Sequence, residues 1–445
     1  MNNNVAKGGP LVEEDSPNLR VSTDIIVRQN IFKKLSARLP DNQQLYSYKL
    51  FHRFLKNSDK EEKIMDYDSY RSFVEYIQPN NRPSSSVSPL FFENVAFLSP
   101  SSFLRLPRTA NECLKDTTLW YYCSRKHLAM QFLLKLALFY CEDSTGIISE
   151  ASFQAFVENE MIESCPELKN KMNPSFYPYY SCTVSRKIFF FLDAPRRGFI
   201  KLQSFVSSKL FLECLHAAIS DQHNNNNHHN STNDEYVQNW FSAESALYLY
   251  ERYIDLDVDG NGMLSKSELS RFGNGTLTNI FLSRFFEECV SYKNDSTCQV
   301  EIDYRVYLDF VLLLTNVSSK AALSILFRIL DSRGCGALNV YDLNLFYKDL
   351  KAYLECMGLE SPPLEHLISE IFDMVRPVNS WEITLKDLLS CGCGGTVVGI
   401  LIDATVFMEY ENREAVTGVD ESETEAMDAS CDAEEAAEAA AISVL

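Results

Sequence analysis

The residues best suited to chemistry lie in one stretch, Asp255-Leu-Asp257-Val-Asp259-Gly-Asn261-Gly262-Met263-Leu264-Ser265-Lys-Ser-Glu268. Oxygen-bearing side chains recur at alternate positions, the spacing with which a short loop wraps a hard cation. Two registers compete. A loop starting at Asp255 puts Lys266 at its twelfth place, where a calcium loop needs a carboxylate that binds through both oxygens. A loop starting at Asp257 puts Asp257, Asp259 and Asn261 at places one, three and five, with Gly262 at the sharp turn. Met263 then offers its backbone carbonyl, Leu264 fills the apolar eighth place, Ser265 ligates directly or through water, and Glu268 falls at twelve. The second register fills every slot. Asp257, Asp259 and Glu268 supply negative charge, Asn261 adds a neutral oxygen, and Ca2+ is the cation such a set suits. The alternative is a polar Asp-Gly-Asn-Gly turn that holds no metal.

A loop of this kind needs a helix on each side. Leu247, Tyr250, Tyr253 and Ile254 share one face of an entering helix, and Leu269 with Phe272 begins a leaving helix that Gly273 would cap. Such hands pair through the apolar eighth position in a short two-stranded ladder. Val300-Glu-Ile302 is the expected partner, Ile302 facing Leu264, with Asp303 as N-cap of the helix that carries Tyr307, Leu308, Phe310 and Val311. Residues 291–299 lack ligand spacing, so the partner hand should hold no metal. The shape recurs in worn form at Cys141–Ile148, Asp193–Ile200 and Asp331–Asp342, with a glycine at each sixth place (Gly146, Gly198, Gly336). Pro195 and Arg197 occupy ligand places in one of these loops, Arg333 and Cys335 in another, and a cation there repels calcium. Trp381-Glu-Ile383-Thr-Leu385 leads a last helix without the glycine. The pairing that follows is Ile148 with Ile200, Leu264 with Ile302, and Leu338 with Ile383. The fold expected is mainly α: tandem paired EF-hand-like helix–loop–helix units, mostly degenerate, with short two-stranded loop ladders.

Composition narrows the function classes. The 445 residues carry 41 Lys and Arg against 61 Asp and Glu, a net charge of −20. A nucleic-acid binder needs a basic footprint, so this balance argues against one. Ten of the acidic residues fall in 414–445, which contains no Lys or Arg and no apolar periodicity, and reads as a solvated acidic tail. The 13 cysteines form no C-x-x-C pair, and most sit in apolar stretches, as free thiols do in a reducing compartment. No apolar run is long enough for a membrane span and the start has no signal core, so cytoplasm or nucleus is expected. Phosphate-binding glycine loops, H-E-x-x-H and G-x-S-x-G are all absent. Cys391-Gly-Cys393 reads as a turn with no histidine partner. A binding protein is favoured over an enzyme.

The organisation expected is a polar lead (1–23), an N-terminal helical half (24–219) with a worn pair at about 141–204, a flexible Asn/His-rich insertion (220–238), a C-terminal half (239–413) and the tail. Three of the seven histidines lie in the insertion, where nothing apolar would fix a metal-binding geometry.

Several blocks go beyond a generic calcium protein. They are Phe176-Tyr-Pro-Tyr-Tyr-Ser-Cys-Thr-Val-Ser-Arg-Lys-Ile-Phe-Phe-Phe-Leu-Asp193, Asn239-Trp-Phe-Ser-Ala243, Asn261-Gly-Met-Leu-Ser-Lys-Ser-Glu-Leu-Ser-Arg271, Glu370-Ile-Phe-Asp-Met-Val-Arg-Pro377 and Glu409-Tyr-Glu-Asn-Arg-Glu-Ala415. In this order and spacing the chain resembles the B″ (B-double-prime) regulatory subunits of serine/threonine protein phosphatase 2A, in particular the gamma form and the plant TONNEAU2/FASS form. The resemblance runs clearly from about Met172 to Ala415 and more weakly back to the first helices. It implies a non-catalytic subunit that binds the phosphatase scaffold and catalytic subunits and directs them to phosphoprotein substrates, with calcium modulating assembly. It implies Asp257, Asp259, Asn261, Ser265, Glu268 and the Met263 carbonyl as ligands, and an association with nucleus, cytoplasm, centrosome or microtubules. The sequence departs from the family pattern at the Asn/His insertion, at Arg333 and Cys335, and across residues 1–110. A stand-alone calcium-binding adaptor for cytoskeletal or other protein partners is the competing expectation.

Overall fold

Several helices begin in this chain where an oxygen-bearing side chain meets an apolar periodic run. Ser149, Ser242, Asp303 and Ser319 each accept the backbone N–H three residues on, at 3.3, 3.2, 2.9 and 3.2 Å. Each such cap satisfies a donor the helix leaves open and contributes about 1 kcal/mol. The result, seen in a computed structural model, is a mainly helical fold with several small antiparallel sheets. The structure describes residues 56–57, 63–77, 100–109, 112–142, 146–219, 239–289, 291–293 and 300–413. The polar lead, the helices expected between Asp24 and Leu55, the Asn/His segment and the acidic tail lie outside these.

The chain divides into two compact units, 1–141 and 142–445. Within the second unit, side chains on either side of the Asn/His segment bond to one another. Tyr180 donates to the Phe241 carbonyl at 2.7 Å, and Thr183 and Tyr304 share a hydrogen bond of 2.9 Å. In the first unit, β1 (Lys56–Asn57), β2 (Lys63–Met65) and β3 (Leu114–Lys115) form one antiparallel sheet. Helices α1 (Tyr67–Ile77), α2 (Pro100–Arg105) and α3 (Asp116–Lys135) accompany it, α3 running on into a π-helical turn at Leu136–Tyr140.

The second unit repeats one plan: helix, tight loop, short strand, helix. Strand β4 (Ile147–Ser149) leads into α4 (Glu150–Phe156), and short helical turns at Ile162–Ser164 and Pro166–Lys171 reach α5 (Tyr177–Leu192). Strand β5 (Phe199–Lys201), α6 (Leu202–Val206) and α7 (Lys209–Ile219) complete the first pair. After α8 (Ala243–Leu256) come β6 (Leu264–Ser265), α9 (Lys266–Leu269), α10 (Asn279–Glu288), β7 (Tyr292–Lys293), β8 (Val300–Ile302) and α11 (Tyr304–Thr315). The last pair comprises α12 (Lys320–Leu330), β9 (Ala337–Leu338), α13 (Val340–Cys356), α14 (Leu364–Val375), β10 (Ile383–Thr384) and α15 (Leu385–Ser390). Helices α16 (Gly394–Ile402) and α17 (Ala404–Glu411) close the unit.

The ladders have the expected register: Ile148 faces Ile200, Leu264 faces Ile302, and Leu338 faces Ile383. All six of these side chains are buried. The sixth-place glycines share a left-handed backbone, with φ of 71° at Gly146, 82° at Gly198, 78° at Gly262 and 76° at Gly336. An L side chain rarely adopts that conformation, which is why the loops keep glycine there whether or not their ligand places survive. Two features differ from expectation. The middle ladder is three-stranded, because Tyr292–Lys293 takes the second edge of β8. The leaving helix α9 ends at Leu269; Gly273 and Asn274 are left-handed, so Phe272–Gly275 form a separate turn instead of extending α9.

The core of this unit is aromatic and aliphatic. Phe281, Phe285, Leu308 and Phe310 are fully buried, and the Phe285 and Phe310 rings meet edge to face at 4.9 Å. Among the described residues no single helix is long and apolar enough to cross a membrane. The most apolar pair, α11 and α12, is bent by 103° and lies in this core.

Candidate metal centre

The acidic loop hangs between α8 and α9. Asp257 caps the end of α8, and its Oδ1 and Oδ2 accept the N–H groups of Asn261 and Gly262 at 3.2 and 2.9 Å. Those bonds close the loop on its first residue. Asp259 Oδ1 accepts the Asn261 N–H at 3.1 Å and its Oδ2 accepts the Asn261 amide at 3.0 Å. Asn261 Oδ1 accepts the Met263 N–H at 2.7 Å, and Tyr253 of α8 donates to the Gly262 carbonyl at 2.6 Å.

Glu268 does two jobs. Its Oε2 accepts the Ser265 N–H at 2.9 Å and the Ser265 hydroxyl at 2.7 Å, while Ser265 Oγ accepts the Glu268 N–H at 3.3 Å. This capping box starts α9. Its Oε1 turns across the loop to the N–H groups of Val258 and Asp259, at 2.9 and 3.5 Å. The carboxylates of Asp257, Asp259 and Glu268 therefore converge, with oxygens within 4.8 Å of one another. Among the described residues, none of the three forms an ion pair with Lys or Arg. Lys266 points away to Ser283 Oγ, at 2.5 Å.

The electrostatics follow from this crowding. Burial alone would push the Glu268 carboxyl up, but the bonds from Ser265, Val258 and Asp259 outweigh it and hold the group below the usual carboxylate range. Asp259 goes the other way. The Asn261 N–H lowers it, but desolvation and the Glu268 and Asp257 carboxylates together raise it above the usual range. Three convergent carboxylates around a glycine turn, with repulsion concentrated on Asp259, are a donor set that fits a divalent cation bound through oxygen.

Of the sequence candidates, Asp257, Asp259 and Glu268 come together. Asn261 sits beside them with its amide bonded to Asp259, the Met263 backbone N–H donates to Asn261 Oδ1, and the Ser265 hydroxyl is engaged in the helix cap. Sequence reading missed two groups. One is Glu301 on β8, whose Oε1 accepts from Asn261 Nδ2 at 3.4 Å. The other is a buried ion cluster. Arg186 of α5 donates to both oxygens of Glu150, at 3.0 and 3.1 Å, and to both oxygens of Asp309, at 2.6 and 2.7 Å. Burial opposes the Arg186 charge, and the Asp309 and Glu150 carboxylates outweigh it. Their separations of 36 and 123 residues leave no periodic trace. At Cys391-Gly-Cys393, burial and the Cys391 thiol push the Cys393 thiol up, away from the reactive thiolate.

The fold and this loop define a class: tandem paired helix–loop–helix units in which one loop concentrates carboxylates. A family model described as "RSA-1 middle domain" matches residues 142–232. The chain is 40% identical over 299 residues to the B″ gamma regulatory subunit of phosphatase 2A from Xenopus tropicalis, covering 67% of this chain and 63% of that protein. It is 39% identical over 307 residues to the gamma form from Homo sapiens, covering 69% and 64%. With the probable B″ regulatory subunit TON2 of Arabidopsis thaliana it shares 32% over 319 residues, covering 72% and 65%. The chain thus spans just under two thirds of the length of these curated relatives. A solved chain described as a PP2A PR70 holoenzyme, diCa, shares the fold at a TM-score of 0.51 and 22% identity, covering 63% of this chain and 98% of that one. The chain belongs to the B″ family of serine/threonine protein phosphatase 2A regulatory subunits.

Proposed function

We propose that this chain is a non-catalytic targeting subunit of protein phosphatase 2A. It binds the scaffold and catalytic subunits, directs them to phosphoprotein substrates, and carries one calcium-binding hand of EF-hand type. The observation that carries the first part is the 39–40% identity to B″ gamma subunits over 299–307 residues. The calcium part rests on the convergence of Asp257, Asp259 and Glu268, with Asn261, Ser265 and the Met263 carbonyl completing the oxygen set. The thiols of Cys182, Cys214, Cys289, Cys335, Cys356, Cys391 and Cys393 are free, which supports a reducing compartment, cytoplasm or nucleus; a centrosomal or microtubule site within it belongs to the same proposal.

The test is a pull-down of the tagged full-length protein from its own cell lysate, in calcium or in chelator, read by mass spectrometry. Recovery of scaffold and catalytic subunits is the expected result, with a yield that differs between the two conditions. Their absence in both, with other proteins recovered, would overturn the phosphatase reading and leave a calcium-binding adaptor.

A further inference from the structure

The partner hand meets the acidic loop through the ladder strand β8, where Ile302 faces Leu264, and also through one side chain of that strand. Glu301 lies on β8 directly opposite Ser265 of β6, is 5% exposed, and accepts from the Asn261 amide at 3.4 Å. It stands outside the group of carboxylates whose oxygens gather within 4.8 Å, which holds only Asp257, Asp259 and Glu268.

The Asn261 amide has two chemically opposite ends. Its NH2 faces two carboxylates, Asp259 Oδ2 at 3.0 Å and Glu301 Oε1 at 3.4 Å. Its oxygen, the one atom of this side chain able to ligate a cation, faces the Met263 N–H at 2.7 Å. Turning the amide over would set its oxygen against both carboxylates and its NH2 against a backbone donor, three mismatched contacts at once. An aspartate in this place would bring an anion to the same two acceptors, close to a buried carboxylate where repulsion is poorly screened.

We infer that Glu301, lent by the neighbouring hand, is a positioning residue for the loop: it orients the Asn261 amide and makes asparagine, not aspartate, the right fifth residue. The inference rests on the calcium reading of the loop. In a loop considered alone, one more carboxylate strengthens calcium binding, because ligand charge tunes affinity. With Glu301 present that order is reversed, so the ladder passes information between hands through a side chain as well as through its backbone bonds.

A double-mutant cycle on the full-length protein tests this: parent, Asn261→Asp, Glu301→Gln and both together, with calcium affinity read by calorimetry and helical content by circular dichroism. Asn261→Asp alone is expected to weaken calcium binding about fivefold, the equivalent of one lost hydrogen bond. In the Glu301→Gln background, where the glutamine amide can donate to the introduced carboxylate, the same change is expected to strengthen binding. A purely structural Glu301 would lower affinity and thermal midpoint without reversing the sign of the Asn261→Asp effect. Thermal midpoints in chelator give a second reading of the coupling that needs no bound ion. An Asn261→Asp effect of equal factor and sign in both backgrounds would overturn the inference alone. A parent protein that takes up no calcium would overturn it together with the calcium reading.

Discussion

The loops 257–268 and 331–342 share a frame and differ in what neutralises it. In the second loop Asp331 accepts the N–H groups of Cys335 and Gly336 at 3.0 and 2.6 Å, as Asp257 does with Asn261 and Gly262. Asn339 and Asp342 form the capping box that Ser265 and Glu268 form in the first. At the third place, however, stands Arg333, and its guanidinium donates to Asp342 at 3.1 Å. One loop keeps its carboxylates converging; the other carries a covalently attached cation. A loop geometry is therefore not evidence of a metal, since the frame is held by backbone bonds and a helix cap in either case. What separates the two is the third and fifth places, Asp259 and Asn261 in one loop and Arg333 and Cys335 in the other.

The largest effect is expected from Glu268→Gln. Glutamine still completes a capping box, so helical content should stay unchanged. The loss of a charged oxygen should weaken calcium binding by roughly 1.5–3 kcal/mol, about 10- to 100-fold by calorimetry. Equal affinity before and after would show that the register is wrong. Next in size is a conversion of the second loop. Arg333→Asp with Cys335→Asn restores oxygens at places three and five, and the protein should then show an additional, weaker calcium-binding event. If the converted loop stays silent, something beyond the arginine disables it.

Acidity gives a smaller and graded effect. Calcium needs ionised ligands, and the Asp259 carboxyl sits above its usual range. Affinity should be complete above that raised value and fall as pH drops through it, earlier than an ordinary aspartate would dictate. In chelator the sign is opposite: a raised folded-state value stabilises the protein at low pH, and that stabilisation is lost as pH rises through it. Thermal midpoints against pH, with calcium and with chelator, should diverge in that window; parallel curves would contradict the crowding of the three carboxylates. The smallest effect belongs to Ser332→Ala, which removes the 2.6 Å bond to Asp342 Oδ1 and should cost about 1 kcal/mol in urea unfolding without touching calcium affinity.

Much of this was legible in the chain, for local reasons. A glycine at the sixth place and an apolar residue at the eighth lie two positions apart, so Gly262 and Leu264, or Gly336 and Leu338, mark a turn followed by a strand wherever they occur. The pairing of Leu264 with Ile302 followed from the rule that such hands meet through their apolar eighth places. The short α9 was not legible, because Leu269 and Phe272 keep helical spacing although Gly273 and Asn274 turn left-handed between Phe272 and Gly275. Neither were Glu301 and Arg186, whose partners are fixed only once distant elements have docked. Nor does composition report the bonds from Tyr180 to Phe241 or from Arg186 to Asp309, which join the regions on either side of the Asn/His segment.

The Arg186 cluster bears on how this unit opens. Glu150 begins α4 in the first pair and Asp309 lies on α11 in the second, so one guanidinium holds both. Partial unfolding of either pair would strand a buried charge, at a cost of about 3–5 kcal/mol for each broken partnership. Amide hydrogens of α4, α5 and α11 should therefore exchange with solvent together, in one cooperative opening close to the global one, rather than fraying pair by pair. The two pairs should then open as a single foldon, although their loops repeat like separate modules.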